Sequence, residues 1–322
     1  MAWVGHAVAM GIEARALTKV FQTGRRRSRQ RIEAVRALTL SVADGERVAY
    51  IGPNGAGKST SIKIFTGILH PTAGEATVLG LTPWEDRKRL ARRIGTLFGQ
   101  RSLLWLELTP RQSYRMLAAI YGMDRAAEQR RVGELGDLLG AVDLFDQPVR
   151  SLSLGQRMRC ELAACLLHDP EILFLDEPTI GLDLVAKQRF RELLVRLNEQ
   201  KGTTIFLTSH DVADIEHVAK RAIVINHGEV IYDDEVAAMR RSLLATKVVE
   251  VGLIAPIAAP THTGVTLLEH TDQAMRLVVD TQVTPIRVVL DELLAGPAVV
   301  DISVVDPPLE QVIAEIYELP AR

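Results

Sequence analysis

The chain contains 322 residues, of which 47% are hydrophobic and 24% are charged, and its formal net charge is −2. This length suits about two domains. The balanced charge excludes a global attraction to nucleic acid or anionic lipid, so we expect no nucleic-acid partner. No signal peptide is evident at the N-terminus, and no apolar run approaches the ~18–20 residues of a membrane span. We therefore expect a chain that is soluble by itself.

Two strands and a basic segment open the chain. Residues 11–24 and 33–43 have the composition of strands, and the run Arg25–Arg31 lies between them. A basic run this short favours a solvated hairpin loop. Contact with lipid headgroups or with the acidic face of a partner is the alternative.

The segment Gly52–Thr60, with the sequence GPNGAGKST, lies between the apolar segment Arg47–Ile51 and a helical pattern that reaches about Leu69. Strand, glycine-rich turn and helix are the context of a phosphate loop, because the glycines let several N–H groups converge near a helix N-terminus. Lys58 can reach the β- and γ-phosphates, and Ser59 can hold Mg²⁺. A glycine-rich turn with an exposed lysine is the alternative interpretation.

The middle of the chain is predominantly helical. A strand near 75–79 and a basic helix near 84–93 precede a strand that ends at Gln100. Residues 103–167 then carry apolar side chains at helical spacing, which predicts a helical block inserted into an α/β domain. Its last helix contains Cys160 and Cys165. Their spacing and the lack of further ligands favour reduced core thiols over a disulfide or a metal site.

Two further buried strands end on polar residues. The first is Glu171–Asp176, which leads directly into Glu177, so that two carboxylates lie together at its end. The second is Thr203–Thr208, which leads into Ser209 and His210. Runs of consecutive apolar residues are typical of strands buried on both faces. A helix over 184–200 separates these two strands, and a hairpin over 222–232 follows them.

A composition shift near 243–247 predicts a second domain. Its strand and helix signals suggest a small α+β unit of ferredoxin-like type. The predicted strands are 247–253, 265–269, 274–280 and 298–304, and the predicted helices are 285–294 and 307–318.

The order and spacing of these segments from residue 11 to about 240 resemble the ATP-binding cassette (ABC) ATPases. Gly52–Thr60 resembles the Walker A loop of that family, and Leu173–Asp176 resembles Walker B. The resemblance implies an α/β P-loop ATPase core over 1–243 with a helical subdomain at about 102–167, and the composition shift assigns a small α+β accessory domain to 244–322. It also implies an ATPase that binds ATP and Mg²⁺.

Site residues follow from the same resemblance. The implied metal ligands are Ser59, Gln100 and Asp176, and the implied catalytic residues are Glu177, His210 and Gln100. The implied nucleotide-binding residues are Phe21, Gly52, Asn54, Gly55, Gly57, Lys58, Ser59, Thr60, Ser153, Gly155, Gln156 and Asp183.

The resemblance assigns a role to each of these side chains. Glu177 would orient or deprotonate the attacking water, with its proton affinity raised by burial and by Asp176. His210 would hydrogen-bond the γ-phosphate, Gln100 would touch both Mg²⁺ and water, and Phe21 would stack on adenine. Each of these residues also has a structural interpretation. Glu177 and Asp176 could be two solvated acids at a strand end, and His210 could be a neighbour of a helix cap. Gln100 could be a polar cap of its strand, and Phe21 could be a core side chain.

Ser153–Gln156 resembles the family's signature sequence, with Leu154 in place of the first of two usual glycines. The signature clamps ATP that is bound to the other subunit, which implies a head-to-tail homodimer. Leu154 still supplies a backbone N–H, so we expect hydrolysis to persist.

Within the family, the segments Phe98–Arg101, Ser151–Arg159 and Pro178–Asp183 resemble the branch that serves ABC-2 type exporters, including daunorubicin and sodium efflux systems. That branch implies an ABC-2 type permease partner and a peripheral position on the cytoplasmic face of the membrane. The apolar segment Ser102–Leu106 fits either a groove for a permease helix or the core of the helical block. An importer ATPase, a cassette acting on ribosomes and a nucleotide-binding regulator without turnover remain alternatives.

Overall fold

The computed structural model describes residues 10–23, 30–98, 102–242, 246–295 and 298–305. The elements, in chain order, are β1 (Met10–Thr23), β2 (Gln30–Ala43), β3 (Arg47–Ile51), α1 (Lys58–Phe65), β4 (Ala73–Val78), α2 (Arg87–Leu90), β5 (Ile94–Phe98), α3 (Pro110–Tyr121), α4 (Arg125–Leu139), α5 (Leu154–Leu166), β6 (Ile172–Asp176), α6 (Leu184–Lys201), β7 (Thr204–Thr208), α7 (Val212–Val218), β8 (Arg221–Asn226), β9 (Glu229–Glu235), α8 (Val236–Ser242), β10 (Thr246–Leu253), β11 (Val265–His270), β12 (Ala274–Asp280), α9 (Ile286–Leu294) and β13 (Val299–Val305).

The chain divides into two compact units, with the boundary between Asp233 and Asp234. The composition shift that predicts a boundary at residue 243 lies on the far side of α8 from this point. Among the helices of the described ranges, none combines the length and apolarity needed to cross a bilayer.

The central sheet of the first unit has six strands in the order β5-β6-β7-β3-β8-β9. The pairs β5–β6, β6–β7, β7–β3 and β3–β8 are parallel. Every residue of β3 and β7 is buried, which explains their continuous apolar runs. Because parallel strands end at the same edge, the segments that follow β3, β6 and β7 meet there.

A second sheet, in the order β2-β1-β4, is antiparallel and covers α1. Ile12, Leu17 and Leu38 from this sheet share one apolar core with Ile62 and Ile64 of α1. This core holds α1 between the two sheets and so fixes the position of the loop that precedes it.

The helical block consists of α3, α4 and α5, joined in part by two short 3₁₀ turns. The continuous helical pattern over 103–167 is thus divided into three helices, and the basic helix predicted over 84–93 is limited to α2. Cys160 and Cys165 lie buried on α5 as free thiols. Burial raises the pKa of Cys160 to about 11 and that of Cys165 to about 12, so both thiols stay protonated at neutral pH.

The second unit contains a four-stranded antiparallel sheet in the order β11-β12-β10-β13. Strands β10 and β11 run in one direction with β12 between them, and β12 and β13 run together with β10 between them. This is the split arrangement of ferredoxin-like folds, although the described connection over 254–264 contains no helix. Val289 and Leu293 of α9 pack into the core of this unit. The helix predicted over 307–318 lies outside the described residues.

Candidate functional site

A cavity of about 760 Å³ opens at the carboxyl ends of β3, β6 and β7. Its lining includes nine of the residues that the sequence predicts to bind nucleotide, to bind metal or to act in catalysis. They are Asn54, Gly55, Gly57, Lys58, Ser59, Thr60, Asp176, Glu177 and His210. Three separate strand ends supply these side chains, so the sheet topology brings them together.

The loop before α1 depends on glycine at two positions. Gly57 has a φ of 106°, and a Cβ there would overlap the carbonyl oxygen of Ala34. A Cβ on Gly52 would lie 2.5 Å from the carbonyl oxygen of Ile225. Any side chain at either position would push the loop away from the strands beneath it.

The N-terminus of α1 has no side-chain cap and no acidic residue in its first turn. The first N–H groups of a helix have no partner within the helix, and the helix dipole adds partial positive charge at this end. Because Ser59 and Thr60 of this turn line the cavity, the helix end suits an anion such as a phosphate.

Lys58 is buried at the base of the cavity, with 7% of its surface exposed. Its Nζ donates to the carbonyl oxygens of Gly52 and Pro53 and lies 3.4 Å from His210 Nε2. Burial lowers the pKa of Lys58, while the charges of Glu177 and Asp176 oppose that shift. The ammonium group is thus held beneath the loop with few solvent contacts.

Thr208, which ends β7, links the two acids. Its Oγ1 donates to Asp176 Oδ1 at 2.8 Å and accepts from the backbone N–H of Glu177 at 3.0 Å. The sequence reasoning did not single out Thr208. The available signal was a polar residue at the carboxyl end of a buried parallel strand.

The side chains of Glu177 and His210 lie next to each other in the lining of the cavity. His210 Nε2 lies 3.3 Å from Glu177 Oε1, and the backbone N–H of His210 donates to Oε2 at 3.3 Å. Burial raises the pKa of Glu177, and the nearby charges of His210 and Lys58 oppose that effect. Glu177 also has a φ of 53°, a conformation that non-glycine residues rarely adopt and that is often found at functional sites.

A second group of predicted residues lies elsewhere. Ser153 caps α5 in a reciprocal arrangement, since its backbone N–H donates to Gln156 Oε1 at 2.8 Å and its Oγ accepts from Gln156 N at 3.3 Å. Asp183 caps α6 by accepting from Ala186 N at 2.8 Å. Ser153, Gln156 and Asp183, together with Gly155, line a separate cavity of about 660 Å³ between α5 and α6.

Leu154, the departure from the signature pattern, lies against Gly181. A Cβ built on Gly181 would be 2.6 Å from Leu154 Cδ2, and Gly181 has a φ of 78°. The leucine side chain therefore occupies the space beside the turn that precedes α6.

Two predicted residues, Phe21 and Gly52, line neither of these cavities. Phe21 is on β1, opposite Ile32 in the register, with Lys19 Nζ 5.3 Å from its ring centroid. Gly52 lies beneath the loop and contributes its carbonyl oxygen to Lys58. Gln100 and most of the basic run Arg25–Arg31 lie outside the described residues.

The parallel sheet, the glycine-dependent loop before α1 and the acidic ends of the neighbouring strands define a P-loop nucleotide-binding domain. A family model described as "ABC transporter" matches residues 35–180. The chain is 33% identical over 201 residues to the ABC transporter ATP-binding protein NatA of Bacillus subtilis. This alignment covers 62% of this chain and 81% of NatA. The chain belongs to the ABC transporter ATP-binding family, and the expected fold class and ATPase activity are confirmed.

Other relatives and structures agree with this family. The chain is 33% identical over 215 residues to YbhF of Escherichia coli, a probable multidrug ABC transporter ATP-binding protein, and covers 35% of it. It covers 63% of an uncharacterized ABC transporter ATP-binding protein of Nostoc. An ATP-binding cassette solved as a dimer in a post-hydrolysis state with ADP and Pi matches with a TM-score of 0.63 and 27% identity, over 70% of this chain and 98% of that one.

Proposed function

We propose that this ABC transporter ATPase subunit hydrolyses ATP within a homodimer and thereby powers an ABC-2 type exporter. The observation that carries the proposal is the convergence of Lys58, Asp176, Glu177 and His210 on one cavity beside the uncapped N-terminus of α1. This arrangement combines a fixed cation, two carboxylates and a helix end, which are the groups that triphosphate cleavage uses.

The residues of the cavity fit a metal-bound triphosphate. Backbone N–H groups of the loop and the Lys58 ammonium would hold the β- and γ-phosphates. Ser59 and Asp176, with Gln100, would hold Mg²⁺, which neutralises phosphate charge when bound. The hydrogen bond from Thr208 to Asp176 Oδ1 orients that carboxylate toward this role.

Glu177 is the proposed base that orients or deprotonates the attacking water. Its raised pKa makes the carboxylate a stronger base than an exposed glutamate. His210, held 3.3 Å from it, would hydrogen-bond the γ-phosphate and keep the carboxylate in place. Phe21 remains the proposed stacking partner of adenine.

The division of nucleotide-binding residues between two cavities supports the homodimer. Within one copy, Ser153, Gly155, Gln156 and Asp183 line a different cavity from Lys58. Near them, Leu154, Leu184 and Val185 expose 48%, 76% and 60% of their surface, and Ile180, which lines the Lys58 cavity, exposes 64%. A second copy placed head to tail would bring Ser153 to the nucleotide and cover these apolar side chains.

The permease is the second proposed partner. Trp105 and Leu106 expose 40% and 48% of their surface, whereas Leu104 is buried in the helical block. The predicted apolar segment thus contributes both to the core and to an exposed patch that a permease helix could cover. The similarity to YbhF, a probable multidrug ABC transporter ATP-binding protein, supports export as the direction. The chain would then sit on the cytoplasmic face of the membrane.

The first experiment compares the wild-type chain with Glu177→Gln in ATP binding, ATP turnover and oligomeric state with Mg²⁺. We expect the variant to bind ATP, to lose roughly 100-fold or more of its turnover, and to elute as a dimer, because the closed state would no longer be released. Glu171→Gln, at the opposite end of β6, is the matched control and should retain turnover. A variant that hydrolyses ATP at the wild-type rate would contradict the catalytic assignment.

The second experiment tests the transporter class by purifying the tagged chain from membranes. Recovery of a polytopic permease of ABC-2 type would support the exporter proposal. Recovery of a permease together with a substrate-binding protein would favour an importer instead.

A further inference from the structure

Four polar side chains form a buried cluster behind the catalytic cavity. Asp214 of α7 exposes 1% of its surface, Ser209 1%, Thr179 3% and Arg191 of α6 4%. Burying polar groups to this extent destabilises the folded state unless they form hydrogen bonds within the protein. The function described above leaves this cluster without a role.

The Asp214 carboxylate connects all the other members. Its Oδ1 accepts from Arg191 Nε at 2.6 Å. Its Oδ2 accepts from Ser209 Oγ at 2.7 Å and also from Thr179 Oγ1. A single carboxylate oxygen therefore holds two hydroxyl groups that come from different segments of the chain.

The two hydroxyls lie next to the catalytic residues in sequence. Thr179 follows Glu177 by two residues, and Ser209 directly precedes His210. Fixing both hydroxyls on one oxygen fixes the separation of the two segments, behind the 3.3 Å approach of His210 to Glu177.

We propose that Asp214 is a positioning residue for hydrolysis, which through Thr179 and Ser209 holds Glu177 and His210 at their working separation. This inference rests on the proposed function of Glu177 and His210. Asp214 does not line the catalytic cavity, so it acts through the two hydroxyls and not on the nucleotide.

A separate contact ties α6 to α7 without these hydroxyls. Asp211 accepts from Lys187 Nζ at 2.6 Å and from Arg191 at 3.1 Å. Removing the Thr179 hydroxyl therefore leaves both the Arg191–Asp214 pair and the Asp211 contacts in place. Removing the Ser209 hydroxyl leaves the Arg191–Asp214 pair and the contacts of Asp211 with Lys187 and Arg191, but it also removes the hydrogen bond that Ser209 Oγ accepts from Asp211 N at 3.0 Å. Hydroxyl variants can separate positioning from a general contribution to helix packing.

The test measures kcat, KM and ATP affinity for Thr179→Val, Thr179→Ser and Ser209→Ala in the full chain. We expect Thr179→Val and Ser209→Ala to lower kcat about tenfold, because small displacements of reacting groups reduce the rate of the chemical step. The ATP affinity of both variants should stay within about twofold of the wild-type value. Thr179→Ser keeps the hydroxyl and should restore most of the rate.

Thr204→Val is the matched control. Thr204 is buried at the start of β7, and its hydroxyl accepts from Gly45 N at 2.8 Å, so this variant also removes one buried hydroxyl hydrogen bond. It should lower the melting temperature without changing kcat.

Wild-type kcat in both Thr179→Val and Ser209→Ala, with only a lower melting temperature, would overturn the positioning role and leave the proposed function intact. A loss of rate in Thr179→Ser as large as in Thr179→Val would also overturn it. Absence of ATP turnover in the wild-type chain would overturn the proposed function itself, and this inference with it.

Discussion

At the residue scale, Glu177 has a raised pKa because burial penalises its charged form more than His210 and Lys58 stabilise it. Because the pKa of Glu177 in the folded chain lies above the reference value of 4.5, the folded chain binds the Glu177 proton more tightly than the unfolded chain does. The stability of the folded chain therefore falls as the pH rises from the unfolded pKa through the folded one. The group that serves as the proposed base is thus destabilising when it is charged.

We therefore predict that Glu177→Gln raises the melting temperature at pH 8 and that the gain shrinks toward pH 4, where Glu177 is protonated. Thermal unfolding of both proteins across this pH range measures the difference. Glu171 provides a control of opposite sign, because its hydrogen bond to Arg93 lowers its pKa. Glu171→Gln should lose stability at pH 8, and a lower melting temperature of Glu177→Gln at pH 8 would contradict the prediction.

At the element scale, the helix N-termini differ in what satisfies them. In α3, Thr109 and Gln112 form a capping box, and in α5, Ser153 and Gln156 form another. In α1, Gly57 offers no side chain to cap the helix. The uncapped end of α1 faces the catalytic cavity, which fits a helix whose free N–H groups bind an anion.

The two capping boxes allow a matched comparison of Ser153→Ala with Thr109→Ala. Each variant should lose about 1 kcal/mol of stability, because each removes an N-cap side chain. Only Ser153→Ala should also lower ATP turnover, since only Ser153 is proposed to reach the nucleotide of a second copy. Urea unfolding and turnover of the two variants measure both effects, and equal turnover would argue against the signature role.

At the scale of the whole molecule, the two units have separate cores. Val249, Leu277 and Val289 belong to the core of the second unit, whereas the described residues that line the catalytic cavity all lie between Ala34 and His210. The nucleotide contacts of a single copy should therefore not require the second unit.

We predict that a chain stopped after Ser242, which keeps β9 beside β8, binds ATP within about twofold of the full chain, because no cavity contact is removed. Equilibrium titration of the two chains measures the affinity. Loss of ATP binding by a folded truncated chain would show that the second unit supports the site. A change in turnover or dimerisation alone would assign it an accessory role.

The sequence by itself determined what depends on local spacing. The loop Gly52–Thr60, the acids that end β6 and the position of His210 after β7 were all predicted, because strand, turn and helix signals are short-range. The helix α7 was missed, and with it the buried carboxylate of Asp214.

Only the tertiary structure decided which of these segments meet. The sheet order sets β7 between β3 and β6. Thr208 at the end of β7 therefore bridges Asp176 and Glu177, although it lies 31 or more residues after both of them in the sequence. The tertiary structure also places Ser153 and Lys58 at different cavities within one copy. Such pairings depend on the order in which strands pack, and that order follows from long-range burial that no local pattern encodes.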